Sequence, residues 1–477
     1  MALPQVDVRV RDGALGLVAS NGVNTPVLIG ACTAGPTNTL LSFGDLETLR
    51  STLTSGPLAE AAAFVLTTAG APVYVVRVPS STPGAAGAVT KVPAAGGTSD
   101  GTLTVAGASL DAYRVRVELL TAGATLAAGT ATFRYSLDDG DNYSPTYPVP
   151  TAGTFALPGT GPTLTFDDGD DGFAAGDVFT FSATAPYYSS AEALAGIDAA
   201  LADTSSYFKL HLVGPAASAS AAVSLATSVA AKMQTAALAY RYLYATVELP
   251  ADTDTNLKTA VALFASDRVE LAGGFADYSS ALGARSIRCS SALASTTRAA
   301  SVPVGEHLGR VATGPVPGIV RLLRDERATP GLDEARITTL RTFLGRPGYF
   351  ITRGRIACPT GSDFVRVEYR RVMDVAATRV AVDAQVYVNE SLRVDPDTGT
   401  ILEADARAIE STLESGLRTA LVQPEQASSV AVRVNRTDNL LSTGILRFKV
   451  RVVPLAYSEI LEAEIAFENP ALQQSAA

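Results

Sequence analysis

The chain has 477 residues, of which 47% are apolar and 18% charged, and this composition excludes an intrinsically disordered protein. The net charge of -10 argues against a general nucleic-acid binder, which needs a basic surface, and against binding to an anionic membrane. At this length we expect about two to four domains, no direct nucleic-acid partner and no membrane insertion.

The N-terminal segment is predicted to contain a short strand. Residues 5–10 (QVDVRV) alternate apolar and polar side chains and precede the turn at Asp12 and Gly13. A short strand at a terminus is either an arm that exchanges between subunits or an edge strand of its own domain. The sequence leaves both interpretations open.

Residues 26–78 have an α/β pattern. Ser42 is predicted to cap the first helix, and Gly70 is predicted to end the second. The segment therefore predicts a compact βααβ unit. Its elements are a strand at 27–31, helices at 42–50 and 58–69, and a strand at 72–78.

Residues 79–187 differ from the segments on either side. Pro, Gly, Ala, Ser and Thr dominate residues 79–101, and short strands separated by turn residues follow without a helical period. We predict a small all-β module inserted into the α/β domain. Its strands are predicted at 101–105, 113–119, 130–137, 163–166 and 177–183.

The α/β pattern resumes at Ser190. Helices alternate with apolar strands as in consecutive βαβ units. This alternation predicts a mostly parallel sheet with helices on both faces. The helices are predicted at 191–202, 217–237 and 252–265, and the strands at 207–213, 241–249 and 268–272.

The last part of the chain is predicted to be an α+β domain. After a looser stretch, Asp333 is predicted to cap a helix that ends at Leu344, and residues 395–400 (DPDTGT) to form a turn. The other predicted elements are helices at 363–388 and 403–421 and strands at 429–435, 445–453 and 460–467.

No group of residues meets the requirements of a known catalytic site. Residues 97–101 (GTSDG) match the nucleophile-elbow pattern, but a Pro/Ala/Gly loop precedes them where a strand is required. His211 is interpreted as a hydrogen-bonded core residue, and His307 has no HExxH partner. Since the chain also contains no GxxxxGK[ST] loop, we expect neither an enzyme nor a cofactor.

Two acidic runs and one basic cluster are candidate binding sites. The runs at 138–142 and 167–172 are interpreted as turns, with calcium binding as the alternative, because they lack EF-hand spacing and its closing glutamate. Arg366, Arg370 and Arg371 are interpreted as a solvated face, with a binding patch as the alternative.

The three cysteines indicate a reducing compartment. Cys32, Cys289 and Cys358 lie far apart and outside any CxxC pair, so we interpret them as small buried residues. The first 13 residues lack the basic and apolar regions of a signal peptide. No apolar run approaches the ~20 residues needed to cross a bilayer. We expect synthesis and folding in the cytosol.

Three blocks of the chain resemble the sheath proteins of contractile phage tails, pyocin-like particles and contractile injection systems, and they occur in the family's order. The chain departs from the family in having no tryptophan, and residues 79–187 match nothing in the shared core. The matching segments are 27–30 (VLIG), Gly35-Pro36, 43–46 (FGDL), 74–78 (YVVRV), 348–351 (GYFI), Arg355, 369–372 (YRRV), and 444–467 with Pro454 and Glu459-Ile460.

The resemblance implies a homopolymer of stacked hexameric rings around an inner tube, which contracts and drives the tube through a target envelope. The implied partners are further copies of the chain, the inner tube protein, and the baseplate and tail terminator proteins. Assembly is expected in the bacterial cytoplasm, into a phage tail or contractile injection particle. The alternative is another self-assembling surface or shell protein whose β module binds a receptor, and an enzyme is the third hypothesis.

The resemblance also implies which residues connect subunits. In the family, terminal extensions add strands to the sheets of neighbouring subunits, and a charged helix of the inner domain lies against the tube. An ordinary solvated face is the alternative for that helix, predicted at 403–421. The linking strands would contain Val6, Val8, Val10, Leu461, Ala463, Ile465 and Phe467, and the tube contact would contain Glu403, Asp405, Arg407, Glu410, Glu414 and Arg418.

We therefore predict an α/β and α+β multidomain protein with a central, mostly parallel sheet and exchangeable terminal strands. The predicted parts are an N-terminal arm at 1–24, an α/β body at 25–78 plus 188–345, the inserted outer β module at 79–187, and an inner C-terminal α+β assembly domain with a terminal arm at 346–477.

Overall fold

The computed structural model describes residues 24–465. Of the predicted linking residues, Val6, Val8, Val10 and Phe467 lie outside this range. Within it, the chain forms a mixed α/β arrangement of several sheets and helices, as the sequence predicts.

The first α/β segment follows the prediction except at the start of its first helix. The prediction that Ser42 caps this helix is wrong, because Ser42 lies in an added strand that pairs with the strand after the helices. Asp45 is the cap, and its carboxylate accepts a hydrogen bond from the Thr48 backbone N–H at 2.8 Å. The elements are β1 (Pro26–Gly30), β2 (Leu40–Phe43), α1 (Leu46–Leu53), α2 (Pro57–Ala69) and β3 (Val73–Arg77).

Residues 79–187 form two antiparallel sheets around one core, which confirms the predicted all-β character of this segment. Aromatic rings fill the core: the centroid of Phe133 lies 5.0 Å from that of Phe166 and 5.1 Å from that of Phe155. The strands are β4 (Thr90–Val92), β5 (Thr102–Ala106), β6 (Tyr113–Thr121), β7 (Thr132–Ser136), β8 (Tyr147–Pro148), β9 (Thr154–Ala156), β10 (Thr163–Asp167) and β11 (Val178–Ala183).

After the β module, helices and strands alternate as predicted. Ser189 caps the first helix through a capping box with Glu192. The elements are α3 (Ser190–Ala202), β12 (Lys209–Leu212), α4 (Ala219–Leu238), β13 (Tyr244–Glu248), α5 (Asp254–Val261) and β14 (Val269–Ala272).

The looser stretch contains more regular structure than the sequence predicts. The helix predicted from Asp333 to Leu344 is wrong, because this segment forms strands instead and the Asp333 carboxylate pairs with Arg355 at 3.0 Å. Pairing with an existing strand outweighs local helix propensity here. The elements are β15 (Phe275–Ser279), β16 (Ser286–Ser290), α6 (Ser291–Ser301), β17 (Ile319–Leu322), β18 (Ile337–Thr338), β19 (Leu340–Phe343) and β20 (Arg346–Ile351).

The largest sheet in the described part of the chain has the strand order β18-β14-β13-β12-β1-β3-β2. Neighbouring strands are parallel except for β2, which is antiparallel to β3. Leu28 of β1 packs with α1, α2 and α6 on one face, whereas Val27 and Ile29 pack with α3, α4 and α5 on the other. Alternate residues of a strand point to opposite faces, so helices cover both sides of the sheet.

The C-terminal part is a helical layer that packs against a two-stranded antiparallel sheet. Leu413 of the second helix lies in one core with Val430 and Val432 of the first strand. A π-helical turn, Arg418–Val422, extends that helix. The elements are α7 (Val367–Ala384), α8 (Glu403–Leu417), β21 (Ala427–Val434), α9 (Leu440–Thr443) and β22 (Phe448–Pro454).

The described end of the chain differs from the prediction of a strand at 460–467. Residues 460–465 have no regular secondary structure. The assignment of residues 1–24, 25–78 plus 188–345, 79–187 and 346–477 to separate domains stays a prediction. Along residues 24–465, no helix combines the length and apolar character that crossing a membrane requires.

Candidate assembly surfaces

Tyr457 fixes the segment that follows β22. Its hydroxyl donates a hydrogen bond to the carbonyl oxygen of Gly305 at 2.7 Å. Its ring stacks on that of Tyr369, with centroids 5.6 Å apart, and meets the edge of the His307 ring at 5.2 Å. Burial raises the pKa of Tyr457, so the hydroxyl stays protonated and donates across the ordinary pH range.

Glu459 is the last residue of this segment that a described partner holds. Its carboxylate pairs with the Arg353 guanidinium at 3.1 Å and also with Arg366. The Arg366 guanidinium lies over the Tyr457 ring, 5.2 Å from its centroid. Arg353 also pairs with Asp333 at 3.0 Å. These contacts, which we call the arm clamp, attach residues 457–459 to the rest of the chain.

Directly after the arm clamp, apolar side chains lie in solvent. Ile460, Leu461 and Ile465 are 79%, 87% and 94% exposed. Ala463 is also exposed, so every described residue predicted to form the C-terminal linking strand is accessible. Neighbouring exposed apolar residues on a soluble protein indicate a surface that a partner covers.

The two-stranded sheet of β21 and β22 has a free edge at β22. Along β21, the Val434 backbone N–H donates to Glu410 at 2.8 Å and the Val432 N–H donates to Glu414 at 3.4 Å. Side chains of α8 therefore bind part of the β21 backbone. Within residues 24–465, β22 pairs with β21 alone. An open edge of this kind can accept a further strand.

The structure separates the residues predicted for the tube contact into two groups. Glu410 is buried between α8 and β21, and Arg436 donates to it at 2.6 Å. This hydrogen bond lowers the pKa of Glu410. Arg407 and Arg418, in contrast, have side chains that are 74% and 60% exposed.

The remaining acidic residues of α8 are exposed at Glu403 and partly buried at Asp405 and Glu414, and each of them has an arginine partner. Hydrogen bonds from Arg436 and Arg407 lower the pKa of Glu403 to about 2. Glu414 pairs with Arg418 at 3.1 Å. Asp405 accepts a hydrogen bond from the backbone N–H of Arg393 at 2.9 Å.

The interpretation of Arg366, Arg370 and Arg371 as a solvated face is wrong, because α7 turns these side chains toward the rest of the protein. Arg371 lies over the Phe208 ring at 4.8 Å and donates to Asn24 at 3.0 Å. Burial lowers the pKa of both Arg370 and Arg371. Arg370 and Asp374 are four residues apart and pair at 2.7 Å, and this spacing is a sequence signal for a partner that the sequence analysis did not use.

The residues considered for catalysis all have structural partners. The Ser99 hydroxyl donates to Asp177 at 2.7 Å in the loop before β5. The ring of His211, as predicted, lies in the core, where its nitrogens bond Glu248 at 3.0 Å and Thr296 at 3.1 Å. His307 accepts a hydrogen bond from the Gly309 N–H at 3.0 Å.

A buried ion pair in the central sheet escaped the sequence analysis. Lys209 and Glu270 are both fully buried, with 2.9 Å between ammonium nitrogen and carboxylate oxygen. Glu270 also accepts hydrogen bonds from the hydroxyls of Thr246, Ser295 and Thr338 at 2.6–2.9 Å. The network holds α6 against the sheet and leaves no oxygen of Glu270 unbonded. The charged residues inside the apolar strands at 209–212 and 269–272 were its sequence signal.

In the described part of the chain, two junctions of charged side chains join the β segment at 79–187, the predicted module, to the α/β segments around it. Asp277 of β15 is fully buried and binds the guanidinium of Arg114 of the module at 3.1 Å. Arg288 and Arg321 also bind Asp277, at 2.9 and 2.7 Å. The second junction is Arg285, which pairs with Glu60 at 2.9 Å and with Asp111 of the module. Sequence reasoning missed both, since their members lie far apart along the chain.

The acidic runs serve as turns, and one of them also contacts the body. Asp138 accepts hydrogen bonds from Asn142 at 2.7 Å and from the Ser286 backbone at 2.9 Å. Asp168 accepts one from the Leu126 backbone at 2.6 Å. In residues 24–465, no three His, Cys, Asp or Glu side chains are grouped to hold a metal ion.

The cysteines are free thiols, and the predicted burial holds fully for two of the three. Cys32 and Cys358 are buried, and Cys289 is partly buried. Burial raises the pKa of Cys32 to about 11, which keeps it protonated and unreactive.

Among solved structures, the chain is similar to subunits of contractile particles. It matches a chain of the anti-feeding prophage (AFP) baseplate in the contracted state with 13% identity and a TM-score of 0.56, covering 98% of this chain and 100% of that chain. The AFP helical sheath in the contracted state matches with 11% identity, a TM-score of 0.52 and the same two coverages. The contracted PVC sheath complex of an extracellular contractile injection system matches with 10% identity, a TM-score of 0.52 and 98% of both chains covered.

These matches confirm the resemblance to the sheath proteins at the level of the fold. A search of curated protein sequences finds no match. The profile of a protein family, the DUF2586 N-terminal domain, matches residues 3–355. Because this match covers most of the 477 residues, the chain belongs to the DUF2586 family.

Proposed function

We propose that this protein is the structural subunit of a contractile sheath. In this proposal it polymerises as stacked hexameric rings around an inner tube and contracts to drive the tube through a target envelope. The observation that carries the proposal is the likeness to the contracted AFP helical sheath, which extends over 98% of the chain. His211 and Glu270 are buried and hydrogen-bonded inside the protein, which also fits a structural rather than an enzymatic role.

The chain would be divided according to this role. Residues 25–78 and 188–345 would form the sheath body, and residues 79–187 an outer module. Residues 346–477 would form the inner assembly domain, and residues 1–24 the N-terminal arm. The two junctions at Asp277 and Arg285 support an outer module that moves together with the body.

Neighbouring subunits would be joined by exchanged strands. The C-terminal strand would contain Leu461, Ala463 and Ile465, together with Phe467 outside the described residues. The N-terminal strand would contain Val6, Val8 and Val10. The exposure of the described C-terminal residues and the open edge of β22 support this part of the proposal. Main-chain hydrogen bonds suit it because they persist while rigid bodies rotate on their connections.

The inner tube would contact the exposed charges of α8. These charges belong to Glu403, Arg407 and Arg418, and the partly buried Glu414 pairs with Arg418 beside them. Glu410 would act from the interior by holding β21 against α8. The further partners would be the baseplate and tail terminator proteins, and assembly would take place in the bacterial cytoplasm. Contraction would draw on changes in the contacts between copies, summed over the whole polymer.

Electron microscopy of the purified full-length chain tests this function. We expect tubes or hexameric rings in negative stain. Particles that remain monodisperse monomers over a wide range of protein and salt concentrations would contradict the proposal. Closed shells or flat sheets would instead favour the alternative, a surface or shell protein with a receptor-binding β module.

Truncation tests the exchanged strands separately. Removing residues 1–13, or all residues after Ser458, is expected to abolish polymerisation and to leave a soluble folded protein, because the cores lie between these segments. Circular dichroism and sedimentation report the fold and the polymer. If either truncated chain still forms tubes, strand exchange is wrong for that end.

A further inference from the structure

We propose that the C-terminal arm, which comprises residues 460–465 in the described part of the chain, recognises β22 of a second copy of this chain through charge. In this proposal Glu462 and Glu464 face Lys449 and Arg451. The inference rests on the proposed function, since it specifies how one copy selects its site on the next.

The outward face of the hairpin formed by β21 and β22 is basic. Lys449 and Arg451 are exposed on it, and Lys449 lies opposite Arg433 in the strand pairing. Two cations directly opposite each other repel. The carboxylate of Glu410 approaches Arg433 to 3.8 Å, whereas Lys449 and Arg451 have no ion pair within residues 24–465. This face therefore has positive charge that the described chain does not neutralise.

The opposite face of the same hairpin is apolar. Phe448, Val450 and Val452 alternate with the basic residues and pack toward α7 and α8. The apolar layer ends at β22 because no described strand follows it in the sheet. A strand added at this edge would thus meet an apolar layer on one side and a basic layer on the other.

The arm has the complementary alternation. Glu462 and Glu464 lie on one side of an extended chain, and Leu461, Ala463 and Ile465 lie on the other. All five residues are exposed. When the apolar residues continue the apolar layer of the hairpin, the two glutamates necessarily face the basic layer. A slip of one residue would place both carboxylates against Val450 and Val452, so the two patterns together define which side of the arm faces the basic layer.

The arm cannot pair with β22 of its own chain unless the contacts of the arm clamp break. To pair with its own β22, the chain would have to reverse soon after Pro454. Tyr457 and Glu459 are instead bound to Gly305 and Arg353. The described part of the arm accordingly forms no strand pairing. With its own arm held elsewhere, the β22 edge is open to the arm of a second copy, whose acidic and apolar sides match the basic and apolar layers of this edge.

Charge reversal and its rescue test this inference. The first variant, E462K/E464K, changes only exposed residues of the arm, and the second, K449E/R451E, changes the acceptor. We expect each to raise the protein concentration needed for polymerisation about tenfold, since two attractive cross-strand pairs become repulsive. The variant with all four substitutions restores opposite charges and is expected to polymerise like the natural chain. Sedimentation measures the polymer.

A matched control is the exposed pair of Asp198 and Lys232, joined at 2.6 Å between α3 and α4. The variant D198K/K232E carries the same kinds of change and is expected to polymerise normally. The charge recognition is wrong, while the sheath function stands, if E462K/E464K polymerises normally. The same conclusion follows if the variant with all four substitutions is folded but does not regain polymerisation. If the unchanged chain never polymerises, the proposed function itself fails.

Discussion

The β module and the C-terminal arm are attached to the body in opposite ways. The module joins it through buried charges, above all Asp277, which binds three guanidinium groups, one of them from Arg114 of the module. The arm is held through Tyr457 and the partly exposed Glu459, and the residues after Glu459 have no described partner. The comparison teaches that one protein can combine a rigid junction with a connection that is free to bind elsewhere.

This difference has a physical basis in burial. Removing one partner of a buried ion pair leaves an uncompensated charge, which costs several kcal/mol, about 3–5. An exposed pair contributes only about 0–1 kcal/mol. The junction at Asp277 therefore resists separation, whereas the ion pairs of Glu459 contribute little by themselves and Tyr457 provides most of the hold of the arm clamp. The predictions below, from the largest expected effect to the smallest, test this contrast.

The first prediction concerns the rigid junction. We expect D277A to lower the free energy of unfolding by about 3 kcal/mol, at the lower end for a buried pair, because Arg288 and Arg321 keep some access to solvent. Chemical denaturation measures the effect. S279A, on the exposed end of the same strand, is the control and should change stability by less than about 0.5 kcal/mol. A loss below about 1 kcal/mol for D277A would show that Asp277 contributes no more than an exposed ion pair and does not hold the junction.

The second prediction concerns acid stability inside the module. Burial alone raises the pKa of Glu118, but hydrogen bonds from Tyr143, Arg116 and Arg134 outweigh it and lower the pKa to about 2. Because the folded-state pKa lies below the usual 4.5, Glu118 contributes stability above pH 4.5 that is lost as the pH falls toward 2.

We expect E118Q to remove about 1 kcal/mol at pH 7 and less at pH 3, since this carboxylate is partly solvated. Thermal unfolding at the two pH values provides the comparison. The variant E47Q, on the exposed side of α1, serves as the control. An equal loss at both pH values would refute the ionic contribution of Glu118.

The third prediction concerns the arm clamp and should give the smallest change in stability. E459Q removes the charge that pairs with Arg353 and Arg366, and we expect the free energy of unfolding to fall by at most about 1 kcal/mol. Hydrogen exchange of residues 455–465 is expected to become faster, with no change in the β module. Unchanged exchange would mean that Glu459 does not hold the arm.

The sequence was sufficient where local chemistry decides the structure. Gly70, the alternation in residues 190–272 and the short strands between turn residues in the module all predicted their elements, because helix ends, turns and apolar periodicity are local properties. It failed where distant contacts decide. Ser42 and the segment after Asp333 joined strands of the central sheet, and the arginines of α7 turned inward to partners such as Phe208.

The candidate surfaces show the same division. The charged face of α8 and the apolar alternation of the arm were visible in the sequence, since both are periodic. The arm clamp was not, because Gly305, Arg353 and Tyr457 come from three separate segments. The inward role of Glu410 likewise depends on Arg436, which lies beyond β21.

The most direct test of the central claim, that copies of this chain are joined by the arm on β22, is cysteine cross-linking of the assembled protein. Ala463→Cys is combined in turn with Val450→Cys or Val452→Cys, and the single variants report any background from the natural thiols. We predict that oxidation yields a ladder of covalently joined copies in one of the double variants. Particles that assemble normally and give only single chains in both double variants would contradict the account.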